Sequence, residues 1–339
     1  MPENGRTSRP GGALCHPANG SDAGLSVRRN ERQEAARSGG KVRNGGKSGL
    51  IPALQGGISQ MKYAFNTASA PTLTLPELLE AARRYGYGGL EVRAGVGHRH
   101  GIEIDAGTEA RQSLRRLAEK AKVALTALGV SSRFSAAEEE GEAQIDAAEK
   151  AIELAADMGI PYVRLFCGRI AAGDSRDKAR ERIVEALRRL APSGTEHGVV
   201  LLLETHDDWS APGELAEVLR RVGHPSVAAL WDVLHTQHEG EASPAETVAA
   251  LGPWIRHVHV HDGVRKPPGS TGHPHYRAIG SGDVDHAEVI RALNGIGYTG
   301  WLSGEWYEWE PRETHLPREL EALRRAEQAA GKGASEDGL

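Results

Sequence analysis

The sequence predicts an α/β protein, a (β/α)8 TIM barrel preceded by a disordered N-terminal extension, and three observations carry the prediction. From Met61 onward, short β-like runs alternate with amphipathic helical segments, the pattern of parallel strands joined by crossover helices. Eight such units fit into about 270 residues, the length that a barrel of this kind occupies. No GxGxxG follows the first strand, which counts against the competing open, doubly wound sheet with a dinucleotide site.

In chain order the strands are expected at KYAFN from residue 62, GGLEVR from 88, VALTALGV from 123, YVRLFCG from 162, VVLLLET from 199, VAALWDV from 227, IRHVHVHD from 255 and GWLSGEW from 300. Each is a short β-like run, and the most apolar of them, VVLLLET and VAALWDV, have the composition that buried parallel strands favour. Between them lie helix candidates such as TLPELLEAARRYG, with Pro76 in the tolerated first turn, and AQIDAAEKAIELAADMG, closed by Gly159. The barrel is assigned to residues 61–330 and a flexible C-terminal tail to 331–339.

Residues 1–60 hold twelve glycines, and stretches such as SGGKVRNGGKSG have an apolar period of neither 2 nor 3.6. Such a segment cannot bury enough surface to offset the entropy of ordering it, so disorder is expected. Its nine Lys or Arg and four Asp or Glu give a charge of +5 against −5 for the whole chain, leaving −10 for the remainder. A basic tail can bind an acidic partner, but the simpler reading is an extension without function upstream of Met61. An acidic barrel argues against a phosphate-backbone binder, so no nucleic-acid partner is expected.

Apolar residues make up 39% of the chain and charged residues 26%, and no run approaches the ~20 apolar residues of a membrane helix. Cys15 and Cys167 offer neither a disulfide framework nor a CxxC zinc pattern, and no signal peptide is visible. A soluble, cytoplasmic protein without a membrane partner is expected.

In such a barrel the active site gathers at the C-terminal ends of the strands. Four of the expected strands end in polar residues: Glu204 follows the apolar run of LLLETH and Asp232 that of LWDVLH, while HVHVHD supplies His259 and LSGEWYEW supplies Glu305. Taken singly, each carboxylate reads more simply as an ion pair with Arg93, Arg164 or Arg265, because an unpaired buried charge costs several kcal/mol. Taken together, three carboxylates and one imidazole make a ligand set for a divalent cation. Oxygen-rich ligation favours Mn²⁺ or Mg²⁺, with Co²⁺ and Zn²⁺ as alternatives; the lack of thiolates disfavours a closed structural zinc site. Along strand IRHVHVHD, His257, His259 and His261 face one side at successive depths, and periodicity alone does not choose the ligand among them. His257 is expected deeper, as a hydrogen-bonded core histidine, and His261 nearer the rim, against substrate or solvent.

The segments LLLETH, WDVLH, IRHVHVHDG, IGSGDVDHAEVIRAL and GYTGWLSGEW, in this order, resemble the sugar phosphate isomerase/epimerase superfamily with the xylose isomerase-like barrel. That group includes ketose 3-epimerases, hydroxypyruvate isomerases, inosose dehydratases and endonuclease IV. The resemblance spans roughly Lys62 to Arg325 and implies Glu204, Asp232, His259 and Glu305 as metal ligands, with Glu204 and Glu305 also as the catalytic bases. It implies substrate contacts from His235 and Arg265, to which His206, His100 and His261 are added as candidates. His261 stands where the family usually has Lys, and Ser210 where ketose epimerases carry a further carboxylate. Dimers or tetramers are common in the resembling family.

The activity implied is a metal-dependent isomerisation or epimerisation of a small carbohydrate-like substrate, by proton removal next to a carbonyl through a metal-stabilised enediolate. An inosose-type dehydratase on the same scaffold is the alternative, followed by an endonuclease IV-like hydrolase and a non-catalytic sugar-binding barrel. For the hydrolase, Asp283, Asp285 and His286 are a partial echo of its extra ligands but read more simply as a turn and helix start. His98, Arg99 and His100 lie on a loop after the second strand, and Trp306 and Tyr307 are either a sugar-stacking wall or ordinary packing.

Overall fold

The eight apolar runs become eight parallel strands in a computed structural model that describes residues 61–135, 138–267, 275–307 and 309–336. The extension expected to be disordered, residues 1–60, lies outside the described residues. The strands are β1 (Lys62–Asn66), β2 (Gly89–Arg93), β3 (Ala124–Arg133), β4 (Tyr162–Phe166), β5 (Val200–Glu204), β6 (Val227–Asp232), β7 (Ile255–Val260) and β10 (Trp301–Gly304). They close in the order β1-β10-β7-β6-β5-β4-β3-β2, a TIM barrel.

Crossover helices return the chain after each strand: α1 (Leu75–Tyr85), α2 (Thr108–Ala121), α3 (Glu138–Met158), α4 (Arg176–His197), α5 (Pro212–Val222), α6 (Val233–His238), α7 (Pro244–Leu251), α8 (His286–Gly295) and α9 (Arg312–Glu336). Their ends follow local chemistry. Glu77 accepts from the Thr74 amide and hydroxyl at the start of α1, beside Pro76, and Gly86 closes it with φ of 89°. Gly159 closes α3 in the left-handed region, as its sequence position predicted. At α8 the cap is Asp285, which accepts from the Glu288 amide, rather than Asp283. Helix α9 runs through Glu336, so it covers most of the segment expected to be a flexible tail. No helix among the described residues is long and apolar enough to cross a membrane.

The strand expected as a single IRHVHVHD run ends at Val260. The chain then forms a short antiparallel ribbon of β8 (Asp262–Val264) and β9 (His275–Arg277) beside the barrel mouth. This ribbon was invisible as a strand signal because three residues show no period. Asp262 fixes its approach: the buried carboxylate accepts from the amides of Gly263, Gly280, Gly282 and Val284.

Because side chains alternate along a strand, the lumen is filled in layers. Leu202, Ala228 and Leu230 form an apolar floor with Tyr162 and Val200. Two residues further along each strand the chemistry turns polar: Arg164, Glu204 and Asp232 stand above that floor, all buried. The opposite faces, with Val258, Val260, Leu201 and Leu203, join the large core between strands and helices.

One glycine near the top of the barrel has a packing reason. A Cβ at Gly304 would lie 2.1 Å from two ring carbons of Trp306, a fully buried residue with no room to retreat. Gly304→Ala is therefore expected to destabilise the barrel by about 1–3 kcal/mol, the cost of overpacking. A thermal midpoint lower by several degrees in differential scanning calorimetry checks this.

Candidate metal and active site

Four side chains from four strands converge at the C-terminal mouth. Glu204 ends β5, Asp232 ends β6, His259 lies on β7 and Glu305 follows β10. Register places Asp232 directly beside His259 across the β6–β7 pair. One ligand atom from each of the four lies within 4.8 Å of the others. Around His259 Nδ1 alone stand Glu204 Oε1 at 3.3 Å, Glu305 Oε2 at 3.4 Å and Asp232 Oδ2 at 3.8 Å. One ring nitrogen cannot satisfy three carboxylates. Burial disfavours a charged imidazole here, yet the carboxylates of Glu305, Glu91 and Glu204 raise the His259 pKa well above its ordinary value. The same field holds the buried Glu305 carboxyl well below the usual range, with His259 and Arg164 outweighing desolvation. The cluster is thus a place built to attract positive charge.

The donor set fits a divalent ion. Glu204 Oε2 faces Arg164 Nε at 3.2 Å, and neither it nor Asp232 Oδ2 has a well-aligned hydrogen bond. Three carboxylates and one imidazole suit an oxygen-preferring dication, while the described thiol, Cys167, is buried and outside the cluster.

A fifth buried carboxylate, Glu91 in the middle of β2, escaped the sequence reading. His257 Nε2 lies 3.0 Å from Glu91 Oε2, and His259 Nε2 lies 2.9 Å from both oxygens. Burial alone would raise the Glu91 pKa, but His259 and His257 overcome it and hold the group ionised. An ionised carboxylate only accepts, so both imidazoles donate Nε2–H to it and Nδ1 of His259 is turned toward the cluster, where a bound cation would displace its proton. Asn66, at the end of β1, donates to Glu91 Oε1 at 3.0 Å and to Glu305 Oε1 at 3.2 Å. Its own Oδ1 accepts from the Ala68 amide, which fixes the orientation of the side-chain amide. His257 is the hydrogen-bonded core histidine expected of its depth.

The family described as xylose isomerase-like TIM barrel matches residues 79–326. The chain belongs to this family. Over 100 residues it is 32% identical to a 3-dehydroshikimate dehydratase of Bacillus anthracis, a match covering 29% of this chain and 35% of that protein. Over 169 residues it is 23% identical to a hydroxypyruvate isomerase of Escherichia coli K12, covering 48% of this chain and 61% of the other. Both matches span less than two thirds of the relative's length. Among solved structures, a crystal structure of the IolI protein with a bound zinc atom superposes with a TM-score of 0.66 at 19% identity, covering 80% of this chain and 99% of the other.

In this xylose isomerase-like barrel a cavity of about 760 Å³ opens above the cluster, a size suited to a small-molecule ligand. Glu204 and Glu305 line it; Asp232 and His259, fully buried, do not. His206, His235 and His261 all reach its wall. The His206 and His235 ring centroids are 4.3 Å apart. His235 Nδ1 meets Glu239 at 3.0 Å. Despite burial, Asp232 and Glu239 raise the His235 pKa to about 9. His261 Nε2 is hydrogen-bonded to Asp232 Oδ1 at 3.0 Å. Tyr307 lines the cavity and donates to Glu305 Oε1 at 2.9 Å, whereas Trp306 packs beneath against Trp309 and His315.

Two expected substrate contacts lie elsewhere. His100 is buried outside the cavity wall, and backbone groups occupy both ring nitrogens: the Arg93 carbonyl at 2.8 Å and the Ile102 amide at 3.0 Å. It shapes the loop after β2. Arg265 is also absent from the wall, because the β8–β9 ribbon turns its exposed guanidinium toward the Gln237 carbonyl and Glu241. The neighbouring Lys266 lines the cavity instead. Ser210 is buried with its hydroxyl on the Asp207 carbonyl, and Asp283 and Asp285 are outside the cluster, at a turn and a helix cap.

Proposed function

We propose that this barrel is a divalent-metal-dependent isomerase or epimerase acting on a sugar or sugar derivative, with Glu204 and Glu305 moving the proton. The observation that carries the reading is the division of the cluster: two carboxylates reach the cavity, while Asp232 and His259 stay beneath as ligands only. Oxygen-rich donors favour Mn²⁺ or Mg²⁺, and the zinc of the IolI structure supports Zn²⁺ as a substitute, with Co²⁺ an alternative on donor chemistry alone. When bound, the ion supplies Lewis-acid stabilisation of the negative charge that develops on the substrate carbonyl.

The side chains divide the remaining work. Glu204 approaches from β5 and Glu305 from beyond β10, with β6 and β7 between them, so the two bases address a substrate from different sides. In an epimerisation, one carboxylate takes the proton from the carbon next to the carbonyl and the other's conjugate acid returns one to the opposite face. In an aldose-ketose isomerisation, one carboxylate carries the proton between adjacent carbons. Asn66 and Tyr307 hold Glu305 through Oε1, and Arg164 steadies Glu204. His206, His235 and His261 line the cavity, which supports a role for them in meeting substrate hydroxyls.

A dehydratase is the second reading, favoured by the 32% identity to the 3-dehydroshikimate dehydratase. It begins with the same proton removal and ends with loss of a β-hydroxyl as water, for which His206 or His235 would supply the proton. Both readings meet one test. The purified protein, analysed for its metal and then loaded with Mn²⁺, is incubated in D₂O with ketoses, an inosose and hydroxypyruvate and followed by NMR. Deuterium entering beside a carbonyl with the hydroxyls retained supports the isomerase, and an unsaturated product supports the dehydratase. Absence of both metal binding and exchange overturns the two.

A further inference from the structure

We infer that the substrate carries an anionic group, a carboxylate or a phosphate, held by Arg93 and Arg133 on the β2–β3 wall of the cavity; the inference rests on the isomerase reading. Both arginines sit at the C-terminal ends of their strands and line the cavity that Glu204 and Glu305 enter. Arg93 is one phenol away from the proposed base: its Nη1 donates to the Tyr307 hydroxyl, which donates to Glu305. Its Nη2 lies 3.4 Å from Ser131 Oγ, another residue of this wall.

Other arginines around the cavity are neutralised by carboxylates. Arg164 faces Glu204 and Arg169 faces Asp207, each at 3.2 Å. Among the described side chains no carboxylate pairs with Arg93 or Arg133, and Arg93 Nε is buried without a hydrogen-bond partner. Glu140 shares the wall but is exposed and forms no ion pair with either. Arg93 is half-buried, and a guanidinium so placed against a polar cavity is costly unless an anion completes it; Arg133 is exposed and adds its charge at the mouth of the same wall.

The wall is also built to admit these side chains. A Cβ at Gly129 on β3 would lie 3.2 Å from Arg93 Cγ and 2.9 Å from Arg164 Nη2. At Gly168, where φ is +89°, it would lie 2.8 Å from Arg133 Cβ. Two glycines on neighbouring segments therefore make space for the arginines. Guanidinium forks match the planar oxygens of carboxylate and phosphate, whereas a neutral sugar gains little from them.

Two matched sets of probes separate the possibilities. Dihydroxyacetone, hydroxypyruvate and dihydroxyacetone phosphate share one hydroxyketone end; so do D-fructose, D-fructuronate and D-fructose 6-phosphate. Calorimetric binding to the Mn²⁺-loaded wild type is expected to favour an anionic member of at least one set by about tenfold or more over its neutral partner. The favoured anion identifies carboxylate or phosphate. Arg133→Gln should reduce that preference about tenfold with Mn²⁺ affinity unchanged, and Arg93→Gln should do so independently. Equal binding within both sets, or a preference that survives both substitutions, overturns the inference while leaving the isomerase reading intact. Loss of Mn²⁺ binding by the wild type, with no probe bound, removes both.

Discussion

Glu305→Gln is expected to reduce solvent deuterium incorporation into a bound hydroxyketone by about 10²- to 10⁴-fold at saturating Mn²⁺, the range that positioned general acid–base groups contribute. The amide keeps the volume and a carbonyl oxygen, but it cannot accept a proton at neutral pH. Its surroundings already favour the ionised acid: His259 and Arg164 hold the carboxyl down, and Tyr307 and Asn66 both donate to Oε1. The oxygen they leave, Oε2, faces the cluster. Two quantities separate loss of a base from loss of a ligand. Metal content by elemental analysis after dialysis reports ligation; exchange measured by NMR at several Mn²⁺ concentrations reports proton transfer. A base is identified when exchange stays low after metal saturation. Full exchange in the variant would leave Glu204 to act alone, and a rate restored entirely by excess metal would reduce Glu305 to a ligand.

Much of this site was written in the chain order. Parallel strands buried on both faces read as near-continuous apolar runs, so a carboxylate at the end of such a run is conspicuous, and Glu204 and Asp232 stand out for that reason, while Glu305 was named from the end of the last expected strand. His259 was legible as one of three alternating histidines; its depth relative to Asp232 is a property of the β6–β7 register, which one sequence does not print. Glu91 went unseen because it sits inside GGLEVR, where it reads as one charged residue in a short strand. Its partners are 166 and 168 positions away. Arg265 was named as a substrate contact by the family resemblance, and the β8–β9 ribbon turns its guanidinium away from the cavity. His100 was named as a candidate substrate contact, but a backbone amide and carbonyl claim its ring. Arg93 was read only as an ion-pair partner, since cavity walls depend on loop geometry that propensity does not encode.

Glu91→Gln is expected to weaken Mn²⁺ binding by about 10- to 100-fold without touching any of the four cluster residues that would ligate the ion. Glu91 is more than a counter-charge. By accepting Nε2–H from His259 it keeps that proton in place and leaves Nδ1 as the atom that gives up its proton to a cation among Glu204, Asp232 and Glu305, and through His257 and Asn66 it ties that ring to two neighbouring positions of the lumen. A glutamine offers an NH₂ as well as an oxygen and no net charge. His259 can then place its proton on Nδ1, where it competes with the cation, and the ring loses part of its restraint. Isothermal titration with Mn²⁺ reads the affinity, and proton-detected nitrogen NMR of the histidine rings reads the tautomer. The expected pair of results is a higher Kd together with a mixed or reversed His259 tautomer in the apo variant, with the fold retained by circular dichroism. Glu91→Ala goes further: it leaves two buried imidazoles without their acceptor and is expected to cost about 3–5 kcal/mol of stability. An unchanged Mn²⁺ affinity in Glu91→Gln, with Nε2–H still fixed on His259, would show that the strand register and Asp232 alone orient the ring.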